Sequence, residues 1–268
     1  MNLPMNLRRS APALLISAAL VLTGCGQSTA PATSPANTVE PASAAASQAA
    51  GQSRSAAPTP TPSATPSPAP KAFTVTELTA IIAGLADDDG NALAVVPAEQ
   101  LETGIAIAKQ MMSAAVITPA ECGVVADSNS QIPAGSTYAG GAVKSTGIQA
   151  LTVVTLVAVA DPKQLAVNLK AAVDKGKQCT NFTMEIRGQK IMNQTEILPV
   201  RTRADTSFGS LATQNLPNGQ LVTTLMVTGV KGNLSASAVA TGPDVTRAAA
   251  ATLARLVDEA LAQGASRS

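Results

Sequence analysis

Residues 207–240 read SFGSLATQNLPNGQLVTTLMVTGVKGNLSASAVA. Two turn signals, Pro217-Asn218-Gly219 and Lys231-Gly232-Asn233, cut this run into three short segments rich in Val, Thr, Leu and small residues. Gly and Asn supply the positive φ that tight turns between antiparallel strands require. The spacing predicts three consecutive strands, near Ser207–Thr213, Leu221–Thr228 and Leu234–Ala240. Upstream, Phe182, Met184 and Ile186 alternate with Thr183, Glu185 and Arg187, Gly188-Gln189 makes a tight turn, and the chain returns from Ile191. Val143–Gly147 and Leu151–Ala160 also read as strands, the second nearly all apolar and hence central.

Helical spacing appears on both sides of this strand run. Thr74-Val75-Thr76-Glu77 has the form of a capping box, followed by Leu78, Ile81, Ile82 and Leu85 at helical intervals. Asp87-Asp88-Asp89-Gly90 is expected to stop that helix, and Leu93–Val96 to form an edge strand. Residues 97–115 read as a second helix with Leu101, Ile105, Ala108, Met111 and Met112 on one face. Thr118-Pro119-Ala120-Glu121 has capping-box spacing and is expected to open a short helix carrying Cys122. Asp161-Pro162 opens a helix to about Asp174 with Leu165, Leu169 and Val173 inward. Gly242-Pro243-Asp244 is expected to begin the last helix, reaching Ala262, with Val245, Ala249, Leu253, Leu256, Val257 and Leu261 inward and Gly264 as its stop. Helices around a strand run with hairpin turns define an α+β fold, helices packed on a largely antiparallel sheet.

The amino terminus reads as an address. Arg8 and Arg9 precede an apolar stretch, Ala11–Leu22, too short to span a bilayer, which needs about 20 residues. Leu22-Thr23-Gly24-Cys25 follows, a large aliphatic residue, two small ones and Cys. It resembles the bacterial lipoprotein box. That resemblance implies lipid on the Cys25 thiol and removal of residues 1–24. Residues 26–70 hold nine of the chain's 18 prolines and only two charges, Glu40 and Arg54. This composition cannot offset ordering entropy, so residues 25–70 read as the lipidated Cys and a disordered tether. Residues 71–268 are expected to form one folded domain. The expected location is the extracytoplasmic face of the cell membrane, held through lipid on Cys25.

Composition excludes several functions. The chain has 18 Lys+Arg against 17 Asp+Glu, no His and no Trp. Near-neutrality argues against nucleic-acid binding, which needs a basic excess. Without His there is no Ser-His-Asp or Cys-His pair and no His-ligated metal site. A hydrolase using two carboxylates is a third reading, disfavoured because the chain lacks aromatic sugar subsites. No catalytic residue, metal or cofactor is expected. Asp87-Asp88-Asp89-Gly90-Asn91 fails the calcium-loop pattern, because Ala92 and Ala98 stand where that pattern needs Gly and Glu. The 52 alanines are read as compositional bias.

Setting Cys25 aside leaves Cys122 and Cys179. Outside the cytoplasm such a pair is usually oxidised, and without a CxxC or a His it suits neither a redox motif nor a metal site. A structural disulfide is expected. Charge is uneven: residues 71–135 hold eight acids and two bases, and residues 163–203 hold eight bases and three acids. One reading is attraction between the two halves over a solvated face. The other is a basic groove of Arg187, Lys190, Arg201 and Arg203 for an anionic envelope ligand.

The order Thr118-Pro119-Ala120-Glu121-Cys122, Tyr138-Ala139-Gly140-Gly141, an apolar strand, then Asp161-Pro162 opening a helix that ends at Lys177-Gln178-Cys179 resembles the extracellular sensor domain of PknH-type mycobacterial receptor kinases and related actinobacterial lipoproteins. The resemblance implies helices packed on an antiparallel sheet, with a cleft for an unidentified ligand. The sequence departs from that pattern in having one Cys pair rather than two, and Gln178 where Trp is frequent. The functional expectation is a membrane-anchored, non-enzymatic domain that binds or senses an envelope or extracellular ligand. The alternative is a lipid or glycolipid carrier with an apolar cavity.

Overall fold

The computed structural model describes residues 72–123, 132–145 and 149–267. Cys25, the leader and the tether lie outside the described residues. The described residues form one α+β domain around a nine-stranded sheet in the order β1-β3-β4-β9-β8-β7-β6-β5-β2. The strands are β1 (Ala94–Val96), β2 (Val116–Thr118), β3 (Thr137–Ser145), β4 (Ala150–Ala158), β5 (Asn181–Ile186), β6 (Gln189–Leu198), β7 (Thr206–Asn215), β8 (Leu221–Lys231) and β9 (Leu234–Gly242). Every neighbouring pair is antiparallel. The α-helices are α1 (Val75–Ala83), α2 (Ala98–Ser113), α3 (Pro162–Gln178) and α4 (Ala250–Ala265).

The turn chemistry acts as expected. Gly219 and Gly232 take φ of 78° and 57°, so a side chain there would be strained, and they join β7 to β8 and β8 to β9. The Thr74 hydroxyl accepts from Glu77 N, while the Glu77 carboxylate accepts from Thr74 N at 2.9 Å. Asp161 caps α3 by accepting from Lys163 N at 3.0 Å.

Several boundaries differ from the sequence expectation. Helix α1 ends at Ala83, and Asp87–Asn91 is instead a turn beside the paired residues Ala86 and Ala92. The Asp87 carboxylate is committed to that turn, accepting from Asp89 N and Asn91 N at 3.0 and 2.8 Å. Thr118 belongs to β2, so it caps nothing, and Ala120–Cys122 is a single 3-10 turn without a side-chain cap. Strand β9 runs through Gly242, and α4 starts only at Ala250. Gly264 does not stop α4. It lies within the helix, where an added Cβ would come 2.4 Å from Leu234 Cδ2.

The main core lies on the face covered by α1 and α4. Leu78, Ile81 and Ile82 of α1 and Leu253, Leu256, Val257 and Leu261 of α4 meet Val154, Leu156, Leu225 and Val227. Each such aliphatic side chain contributes about 1.5–3 kcal/mol on burial. The alanines are more than bias at this point: Ala236, Ala238 and Ala240 of β9 are buried beneath α4, where small side chains let helix and sheet close up.

The other face is covered differently. Leu165 and Leu169 of α3 pack with Val159, Phe208 and Val230 in a second cluster. Helix α2 follows β1 at one edge of the sheet and leads into β2 at the opposite edge. Leu101 near its start lies over Gly140 of β3, and Met112 near its end reaches the β5–β8 region. A helix of 16 residues spans about 24 Å, so α2 runs across the strands as a strap. Its expected inner residues Leu101, Ile105, Ala108 and Met112 are half-buried, Met111 is exposed, and no residue of α2 is fully buried.

Candidate functional site

Under the far end of this strap the sheet carries a cleft of about 200 Å³. Alternation places its floor. Phe182 of β5 faces Asn193 of β6, which faces Gln214 of β7. In parallel rows Thr195 pairs with Ala212, and Ile197 pairs with Ser210, which pairs with Met226 of β8. Ala172 and Gly176 of α3 and Met112 of α2 close the sides. A Cβ added at Gly176 would come 2.6 Å from Ile197 Cδ1, so the glycine lets α3 sit directly on β6.

The floor is polar although it is buried. Gln214 Nε2 donates to Asn193 Oδ1 at 2.9 Å, and Asn193 Nδ2 donates to the Ile191 carbonyl at 3.0 Å. Thr195 and Ser210 are each only 8% exposed, yet neither hydroxyl meets a partner among the described residues. Every described side-chain nitrogen or oxygen that is shut off from solvent does have a partner. These two hydroxyls therefore open onto the cleft. No charged side chain is among the described residues lining it.

The disulfide stands behind one wall. Cys122 and Cys179 are bonded, with Cα atoms 5.5 Å apart. Both are buried and pack with Phe182 and Ile117. The bond ties the end of α3 to the turn after β2, and so holds Phe182 at the cleft.

The basic residues singled out in the sequence lie elsewhere and do not form one cluster. Arg187 occupies the β5–β6 turn at φ 52°, and Lys190 is the second residue of β6, both exposed. Arg201 and Arg203 follow the opposite end of β6, a ten-residue strand about 30 Å long. They share a groove of about 420 Å³ beside α4 with Arg255, Asp258 and Glu259. Arg203 N donates to Asp258 Oδ1 at 2.6 Å, and the two carboxylates offset much of the groove's positive charge. Of the charges in the two unevenly charged segments, Asp88 meets Arg255 of α4, and Lys170 meets Asp174 within α3.

Sequence reasoning missed Asn193, Thr195, Ser210 and Gln214. One signal was available. Asn193-Gln194-Thr195-Glu196 puts polar side chains on both faces of a strand, which a two-sided core does not call for. Among the described residues no group of three or more Cys, Asp or Glu is placed to hold a metal, and no helix is long and apolar enough to cross a membrane.

Fold and site together define an α+β domain with a polar-floored cleft on one sheet face. No family model matches the chain, and no curated protein does. Among solved structures it is similar to the extracellular domain of PknH from Mycobacterium tuberculosis, at 16% identity and a TM-score of 0.43, over 63% of this chain and 98% of that one. It is also similar to an uncharacterized protein of Mycobacterium smegmatis, an Rv0999 ortholog, at 14% identity and a TM-score of 0.37, over 56% of this chain and 75% of that one.

Proposed function

We propose that this chain is a lipid-anchored extracytoplasmic protein whose domain binds a ligand in the cleft beneath α2, without catalysis. One observation carries the binding reading: Thr195 and Ser210, each only 8% exposed, turn hydroxyls without a partner among the described residues onto an open volume. Both hydroxyls open onto the cleft, so each can donate to and accept from a ligand there in place of water. The location rests on Leu22-Thr23-Gly24-Cys25 and on the Cys122–Cys179 bond, which suits an oxidising compartment. Absence of catalysis rests on the described lining residues, which offer hydrogen bonds and apolar contact and include no titratable side chain. An open cleft with a polar floor favours binding over carriage of an enclosed lipid, which would ask for a closed apolar cavity of several hundred Å³.

The test is native mass spectrometry of the mature protein purified from its own host's membranes. A co-purifying molecule is expected on the wild type and not on Ala212→Phe, which fills the cleft. A bound mass unaffected by that substitution overturns the cleft as the site.

A further inference from the structure

We infer that the cleft takes an uncharged amphipath: an apolar chain whose head carries an amide or hydroxyl. This rests on the cleft being the binding site. The floor selects the head. Thr195 and Ser210 each present a hydroxyl able both to donate and to accept. Gln214 gives one N–H to Asn193, which leaves its second N–H and its carbonyl oxygen free for the same ligand. These groups can satisfy an amide or an alcohol completely. They offer no counter-charge, and an ionised head taken out of water there would go uncompensated. The cations that would serve an anion lie outside the cleft, Arg201 and Arg203 beside α4 and Arg187 and Lys190 at the β5–β6 turn end of the sheet.

The walls select the body. Met112, Met184 and Met226 are three of the chain's seven methionines, and Phe182 and Phe208 two of its three phenylalanines, and all five line this one volume. Unbranched, polarisable thioethers adapt to different apolar shapes. That suits a chain of variable length better than one rigid ring. Met112 also belongs to α2, a helix with no fully buried residue, so the wall it supplies has little packing to give up on entry.

The test uses three probes that share one chain and differ only in the head: octanamide, octanoate and octylammonium. The protein is the mature chain with Cys25→Ser, exported behind an ordinary cleavable signal so that no detergent competes, with ¹³C-methyl methionine. Octanamide is expected to shift the methyls of Met112, Met184 and Met226. It should leave that of Met192, 58% exposed on the other sheet face, unchanged. It should bind at least tenfold more tightly than either charged probe. Thr195→Val and Ser210→Ala should each weaken octanamide by roughly tenfold, the effect of one lost hydrogen bond. Both should leave the Tm of the free protein nearly unchanged, since each hydroxyl opens onto the cleft and holds no protein partner among the described residues.

Octanoate or octylammonium binding as tightly as octanamide, at the same methyls, overturns the uncharged head and leaves the cleft as the site. A Tm that falls along with affinity in both variants shows a structural role for the hydroxyls and overturns head recognition. Octanamide that moves no cleft methyl overturns the amphipath class. If the host's own ligand also survives Ala212→Phe, the cleft reading falls with it.

Discussion

Gly140 and Gly141 are consecutive residues of β3 and lie under two different helices, one on each face of the sheet. A Cβ on Gly140 would come 3.1 Å from Leu101 Cδ2 of α2, and one on Gly141 would come 2.3 Å from Ile82 Cγ2 of α1. Adjacent residues of a strand point to opposite faces, so two glycines in a row open both faces to close helix approach. The two contacts differ in rigidity. Ile82 is buried in the main core, and Leu101 is half-buried on the loosely held strap. Gly141→Ala is therefore expected to lose about 1–3 kcal/mol, as overpacking does. Gly140→Ala should cost less than half of that, because Leu101 can swing aside. Urea titration of both variants measures the contrast, and equal losses would mean that α2 is packed as firmly as α1.

The strap should also be the most easily opened helix. Helix α2 has no fully buried residue, whereas α4 buries Leu253, Ala254, Leu256, Val257, Ala260, Leu261 and Gly264. Amides protected only by local contacts exchange through small openings rather than global unfolding. In native-state hydrogen exchange the α2 amides are expected to exchange well before those of α4. Octanamide, if it binds under α2, should slow the α2 amides selectively.

Breaking the disulfide should lower stability without erasing the sheet. The bond closes a separation of 57 residues, for which the chain-entropy model gives about 4 kcal/mol. In a domain of this size that is roughly 10 °C in Tm. Calorimetry of Cys122→Ala/Cys179→Ala beside wild type checks it. Cleft binding should weaken in the same variant, since the bond stands behind Phe182. A Tm within 2 °C of wild type would contradict the model.

Asp88 should make a small acid-sensitive contribution. Its carboxylate is held below the ordinary 3.8 chiefly by the Thr252 hydroxyl, with Arg255 Nε donating at 2.9 Å as the second attraction. A lowered folded-state value stabilises fully above the unfolded value. That stability is lost as pH falls through the folded one. Wild type should thus exceed Asp88→Asn in Tm at pH 7, and the gap should close below about pH 4. The side chain is 54% exposed, which limits the gap to less than about 1 kcal/mol. A gap that persists unchanged at pH 2.5 would show that the charge is not what Asp88 contributes.

Lipid attachment at Cys25 needs the thiol, because the thiolate is the attacking group and a Ser hydroxyl is far less nucleophilic at neutral pH. In fractionated cells Cys25→Ser is expected to lose its acyl mass and leave the tightly bound membrane fraction. Retention of acyl mass in the variant would place the modification elsewhere.

What the sequence determined by itself was local. The Thr74–Glu77 box, the glycine turns at Gly219 and Gly232 and the alternation that makes β5 to β9 all depend on residues a few positions apart, so a linear reading finds them. With Cys25 set aside, the remaining cysteine count left a single pairing, Cys122 with Cys179. Tertiary structure alone decided the rest. Arg187 and Arg203 look close in the chain, yet an extended ten-residue strand carries the backbone about 30 Å between their neighbourhoods. Met112 and Met226 look remote, yet α2 crosses the sheet and sets them at one cleft. Thr195 and Ser210 are unremarkable strand residues until the register of β6 and β7 puts both hydroxyls on the face under the strap. Side-chain direction follows from local backbone period, but which side chains meet depends on strand order and on which helix covers which face, and those are set by long-range packing.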